Sequence, residues 1–217
     1  MLYLLSLYEN YLLGPIPTSL GNLKSLVDPE LSENQLNGSL PTSLGNLTNL
    51  EILFLRDNKL SGYIPREIGK LHKLVVLEIN TNQLSGSFPE GICQCGSLVR
   101  FTMAGNNITG SIPEDFGIST DLTFLDLSSK HLVGQFLKKK KGSLTSLLDH
   151  LDLSANRLNG SIPANLGDCS NLYYLNLSNN RLSHRIPAQM GKLRLQPCKK
   201  GSGVGQPPRE NSRNRRR

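Results

Sequence analysis

Apolar and polar positions along the chain recur at a fixed interval. Aligned on one column, the chain runs Asn10, Asn34, Asn58, Asn82, Asn106, Lys130, Asn156, Asn180. Six of the seven steps are 24 residues, and the step from Lys130 to Asn156 is 26. Three residues before the column stand Leu7, Leu31, Leu55, Ile79, Met103, Leu127, Leu153 and Leu177. Two after it stand Leu12, Leu36, Leu60, Leu84, Ile108, Leu132, Leu158 and Leu182. Gly lies four after it in seven of eight repeats, His184 excepted, and Pro seven after it in seven of eight, Leu137 excepted. The unit reads LxxLxLxxNxLxGxIPxxLGxLxx. A period of this length marks units that bury their apolar faces only by stacking on each other.

Each part of the unit has a physical reading. The LxL segment has the period-two pattern of a short strand with one buried face, so one strand per repeat stacks in parallel. A buried Asn needs partners for its amide, and the backbone of the turn that ends the strand can supply them. The column predicts a ladder, interrupted at Lys130. The Gly column allows a tight turn or a positive φ. Ile-Pro fixes an extended step on the return, and xxLGxL comes back as a helical or 3₁₀ turn. At about 4.8 Å per strand, eight repeats give about 38 Å of sheet.

Residues between the buried leucines face away from the core. Taken four and two before the asparagine column, they are Ser6/Tyr8, Glu30/Ser32, Phe54/Arg56, Glu78/Asn80, Thr102/Ala104, Asp126/Ser128, Asp152/Ser154 and Asn176/Ser178. They differ between repeats while the leucines do not. Phe54, Arg56, Glu78, Asn80, Thr102 and Asp126 are the candidate binding residues. They suit an extended peptide, with Arg56 open to a carboxylate. The last three pairs read as a bland ridge.

Charge and cysteine add little to the repeat region. The net charge is +7. Residues 194–217 hold eight basic residues and one acid, so residues 1–193, with sixteen of each sign, are neutral. The Gly/Pro-rich basic tail 194–217 is expected to be disordered. Cys95 and Cys169 fall in the buried column of Leu23, Leu47 and Leu71 and read as core filler. Cys93 is too close to Cys95 to pair with it comfortably, and Cys198 sits in the tail. The four histidines fall in different repeats without metal-ligand spacing and read as surface residues. No apolar run approaches a membrane span. The start, MLYLLSLYENYLL, lacks the basic region and cleavage site of a signal peptide. No nucleophile, base and orienter set is suggested by spacing, so no catalytic, metal or cofactor site is expected, and no nucleic-acid partner. Sequons at Asn37, Asn46, Asn107, Asn159 and Asn176 are candidate glycosylation sites in a secretory context.

The columns resemble plant extracellular leucine-rich repeats over residues 1–193. The segments Leu60-Ser61-Gly62-Tyr63-Ile64-Pro65 and Leu158-Asn159-Gly160-Ser161-Ile162-Pro163 carry the LxGxIP hallmark. The chain looks like the ectodomain of a leucine-rich-repeat receptor-like kinase. That resemblance implies an α/β-type solenoid: a right-handed superhelix with a parallel sheet on its concave face and short 3₁₀ or helical turns on its convex side. It implies a peptide or protein ligand, a co-receptor kinase of the same repeat type as a further partner, and the outer side of the plasma membrane as location. Secreted inhibitors of microbial cell-wall hydrolases use the same repeat. The family's paired-cysteine caps, membrane helix and kinase are not found, so a fragment or a truncated, non-functional product is the other expectation. The stretch 137–150, which includes Lys140 where Leu or Ile belongs, is read as an irregular junction or a surface loop.

Overall fold

The computed structural model describes residues 1–89, 91–92, 98–113, 121–129, 131–135 and 147–193. Lys130, most of the 137–150 junction, Cys93, Cys95 and the basic tail lie outside the described residues.

Eight three-residue strands form one parallel sheet in chain order: Leu4–Ser6, Asp28–Glu30, Ile52–Phe54, Val76–Glu78, Arg100–Thr102, Phe124–Asp126, His150–Asp152 and Tyr174–Asn176. The register carries the 24-residue step from strand to strand, as in Leu77 beside Leu53 and Phe101 beside Leu77. It also absorbs the 26-residue step, placing Leu151 beside Leu125. The middle residue of each strand points inward. From the second strand to the seventh these are Pro29, Leu53, Leu77, Phe101, Leu125 and Leu151, all buried. The two extra residues of that step thus leave the register of these strands unchanged.

After each asparagine the chain makes a second short strand, as in Gln35–Ser39, Lys59–Gly62 and Gln83–Gly86. These stack into a five-stranded and a four-stranded parallel sheet among the described residues. The expected turn glycines have φ between 72° and 91° from Gly14 to Gly160. The return runs through 3₁₀ turns, among them Thr42–Asn46, Arg66–Lys70 and Ala164–Asp168. The fold is thus a leucine-rich-repeat solenoid. Its core is one continuous column of leucine and isoleucine, with Phe101 among its largest fully buried side chains and Cys169 fully buried as filler.

The Asn column forms the expected ladder. Asn82 donates through Nδ2 to the carbonyls of Leu55, Ile79 and Asn80 at 2.9, 3.2 and 3.2 Å. Its Oδ1 accepts from the Leu60 amide at 2.9 Å. Each asparagine thereby ties its own turn to the preceding repeat. The same set recurs at Asn34, Asn58, Asn106, Asn156 and Asn180.

The second glycine of the unit, in xxLGxL, is needed for contact between turns. A Cβ on Gly45 would lie 2.5 Å from Glu67 Cβ and 2.7 Å from its carbonyl oxygen. Turns on the convex side therefore approach backbone to backbone. Gly45→Ala is expected to force them apart and destabilise the fold by about 1–3 kcal/mol, the usual cost of overpacking. Gly191→Ala, where nothing lies within 4 Å, is the control. Chemical denaturation of the two variants checks this.

Candidate ligand-binding face

The solvent face of the eight-stranded sheet carries three columns, at six, four and two residues before the asparagine. All six candidate residues lie on this face, and the sheet register brings them onto adjacent strands. Four of them are already engaged in pairs, Arg56 with Glu78 and Asn80 with Thr102. Arg56 reaches Glu33 at 2.7 Å, Asp57 at 2.8 Å and Glu78 at 3.9 Å. Glu78 also accepts from Arg100 Nε at 2.6 Å. Thr102 Oγ1 donates to Asn80 Oδ1 at 2.8 Å, and Thr102 is itself buried. Phe54 is half-buried in the neighbouring strand. Asp126 accepts the Ser128 amide at 2.9 Å. Arg56 is therefore not the open guanidinium expected from the sequence. Three carboxylates already surround it, and a ligand carboxylate would have to displace one.

The reading of the last strands as a bland ridge is corrected too. It left out the outermost column, which the period of two places on the same face. There Phe124 and His150 stack with ring centroids 3.9 Å apart and planes at 11°. His150 and Tyr174 stack at 4.1 Å and 3°. The Arg100 guanidinium covers the other face of Phe124, 3.7 Å from its centroid. Four successive strands thus carry a stack of Arg100, Phe124, His150 and Tyr174. Strand spacing of about 4.8 Å, close to ring-stacking distance, makes such a stack possible wherever planar side chains follow one another in one column.

His150 is accordingly not a free surface residue. Burial between the rings pushes its pKa down from 6.5 to about 4, against the opposing pull of Asp152 and with some help from Arg100. The unfolded chain binds a proton near pH 6.5 and the folded chain only near 4. The stability that His150 contributes is complete above pH 6.5 and is lost as pH falls toward 4. Half-exposure screens the effect. Asp126 and Asp149, both raised by burial, contribute in the opposite direction. The expected result is that thermal midpoints of the protein fall further between pH 7 and pH 4.5 than those of His150→Phe. Equal falls in the two proteins would contradict the assignment.

The face is acidic although residues 1–193 are neutral. Its strand columns hold Asp28, Glu30, Glu78, Asp126 and Asp152 against Arg56 and Arg100. The residues bordering the strands add Glu9, Glu33, Asp57, Glu51 and Asp149 and no base. Cations are concentrated elsewhere, as at Arg66 and Lys70 of a convex turn. Burial works against the Asp152 carboxylate, but hydrogen bonds from Ser154, Asn176 and Tyr174 hold its pKa below the usual range. Among the described residues no group of side chains could hold a metal ion, and no helix is long and apolar enough to cross a membrane. Of the sequon asparagines, Asn37, Asn46, Asn107 and Asn159 are exposed. Asn176 lies on the outward face of the eight-stranded sheet, with its amide donated to Asp152 at 3.0 Å.

Comparison with known proteins agrees with the architecture. The Leucine Rich Repeat family matches residues 1–23, 49–71, 73–95, 97–118, 147–169 and 171–193. No curated protein matches the chain. Among solved structures, the plant peptide hormone receptor RGFR1 in complex with RGF2 is 38% identical, with a TM-score of 0.82 over 88% of this chain and 30% of that one. The Arabidopsis receptor kinase HAESA, in complex with the peptide hormone IDA and the co-receptor SERK1, is 34% identical. Its TM-score is 0.84 over 89% of this chain and 32% of that one. A plant ice-binding protein is 30% identical, with a TM-score of 0.76 over 84% of this chain and 57% of that one. The chain thus spans about a third of the length of the two receptors. The chain belongs to the leucine-rich-repeat family, with repeats of the kind that builds plant receptor-kinase ectodomains.

Proposed function

We propose that the chain is the ligand-recognition module of a plant receptor-like kinase and binds a peptide or protein ligand along its concave sheet. It is a binding module without catalysis of its own. The observation that carries this reading is the contrast within each strand. The inward residues are a near-uniform apolar column, while the outward ones vary and join into an ion-pair cluster around Arg56 and Glu78 and an aromatic stack around His150. Variation free of core constraint is where specificity can reside. The two receptors above, described as complexes with peptide hormones, support a peptide as ligand. HAESA, described with a co-receptor, supports a second kinase of the same repeat type as further partner. In that setting the chain lies on the outer side of the plasma membrane, acting in signalling or defence. Asn37, Asn46, Asn107 and Asn159 would then carry glycans away from the face. Asn176 would not, since a glycan there would fill the face and break its bond to Asp152.

Peptides selected from a random display library against the whole chain supply the probe. Arg56→Ala and Glu78→Ala are each expected to weaken their binding tenfold or more, because each leaves charged neighbours unpaired at the ligand surface. Lys70→Ala on the convex side is expected to leave it unchanged. Unaltered binding to the first two, in variants with unaltered thermal midpoints, would contradict the assignment.

A further inference from the structure

We propose that the Phe124–His150–Tyr174 stack, with the Asp126 and Asp152 carboxylates beside it, is a subsite for an arginine side chain of a peptide ligand. The inference rests on the concave-face reading above and names the ligand's chemistry.

Three features point to a cation with a flat or extended apolar portion. First, the rings stack face to face along the sheet, so what they offer to solvent is a narrow apolar ridge across three strands. An arginine stem can lie along such a ridge while its head stays polar. Second, the next column of the same strands holds two carboxylates in register, with Asp126 beside Asp152. Like charges in facing positions of neighbouring strands repel, and a guest cation between them removes that repulsion. The two differ in what they have left to offer. Asp152 is filled by the Ser154 amide at 2.8 Å and by Tyr174 Oη and Asn176 Nδ2 at 3.0 Å each. Asp126 takes the Ser128 amide on Oδ1. With about four acceptor positions on a carboxylate, it keeps room for a guanidinium. Third, the fold shows this mode of contact in its own residues. Arg100 lies over Phe124 while its Nε is held by Glu78 at 2.6 Å. The proposed guest shares the carboxylate half of that pairing, while its stem, rather than its guanidinium, lies along the ring edges. Arg100 is the only Lys or Arg that the described strands from Arg100–Thr102 to Tyr174–Asn176 place on this face, and Glu78 already engages it.

The test uses the full chain and two synthetic probes, acetyl-(Gly-Arg)₃-amide and its citrulline counterpart, which keeps the planar shape and three of the five N–H donors but has no charge. Binding is followed by calorimetry and by the NMR signals of the three rings. The expected result is that the arginine probe shifts the Phe124, His150 and Tyr174 resonances and binds at least tenfold more tightly than the citrulline probe. Asp126→Asn is expected to remove most of that difference, with a thermal midpoint no lower than that of the unaltered chain, because the substitution also removes the repulsion from Asp152. Equal binding of the two probes overturns the proposal, as does arginine binding unaffected by Asp126→Asn. Ring contacts from arginines of residues 209–217 would also overturn it, since the chain's own tail would then be the occupant. Library peptides that bind at Arg56 and Glu78 without perturbing the rings would sink the subsite and leave the concave-face reading standing. Peptides that bind only the convex turns would sink both.

Discussion

Asn82→Ala is expected to lower the stability of the solenoid by about 3–5 kcal/mol. The asparagine is buried, and its amide serves four backbone groups from two repeats. Alanine would leave the carbonyls of Leu55, Ile79 and Asn80 and the amide of Leu60 without that partner. An unmet buried polar group costs about 1–3 kcal/mol, and partial access of water to the freed groups keeps the total below the full sum. Asparagine also suits the site because it donates and accepts at once. Asn82→Asp keeps the Leu60 bond but sets a carboxylate against three carbonyl oxygens, so it is expected to be at least as damaging. Asn10→Ala supplies the comparison. Asn10 is exposed and its side-chain amide bonds the carbonyls of Leu7 and Tyr8 in its own repeat, so the loss of that side chain is expected to cost little. Urea denaturation of the three variants checks the order.

Phe101→Ala is expected to cost about 3–5 kcal/mol, the range for truncating a large buried aromatic. Phe101 is fully buried at the centre of the sheet, between Leu77 and Leu125 in register. Its strand neighbours point the other way, Arg100 to Glu78 and the Phe124 ring and Thr102 to Asn80. The cavity would therefore loosen the outward face of the sheet from behind. Phe101→Leu, which returns the column to its usual residue, is expected to cost clearly less. Thermal denaturation separates the two, and a loss in Phe101→Leu equal to that in Phe101→Ala would show that the ring's shape matters beyond its volume.

Most of the fold was legible because it is written in one repeated unit. Leucine spacing gave the strand, the asparagine column gave the ladder, and the turn glycine gave the positive φ. The glycine of xxLGxL was visible as a letter, but its reason was not. Only stacked turns show that a Cβ on Gly45 meets Glu67 of the next repeat. The outward face of the sheet was legible in part. The columns at four and two residues before the asparagine were placed on it correctly. The column at six was open to the same period-two argument and was passed over, so Phe124, His150 and Tyr174 were missed. Reading each repeat as its own pair of residues hid a contact that exists only between repeats. Arg56 failed as an open guanidinium for the same reason. Glu33 and Glu78 are each about one period away in sequence, and only the sheet brings them to one side chain.

Where a ligand touches the solenoid is the most direct measurement of the central claim. A library-selected peptide carrying a benzophenone group is cross-linked to the full chain by light, and the adducts are located by mass spectrometry. The predicted result is attachment within residues 52–56, 76–80, 100–104, 124–128 and 150–154, the outward positions of the concave strands. Attachment confined to the 3₁₀ turns at 42–46, 66–70 and 164–168 would contradict it.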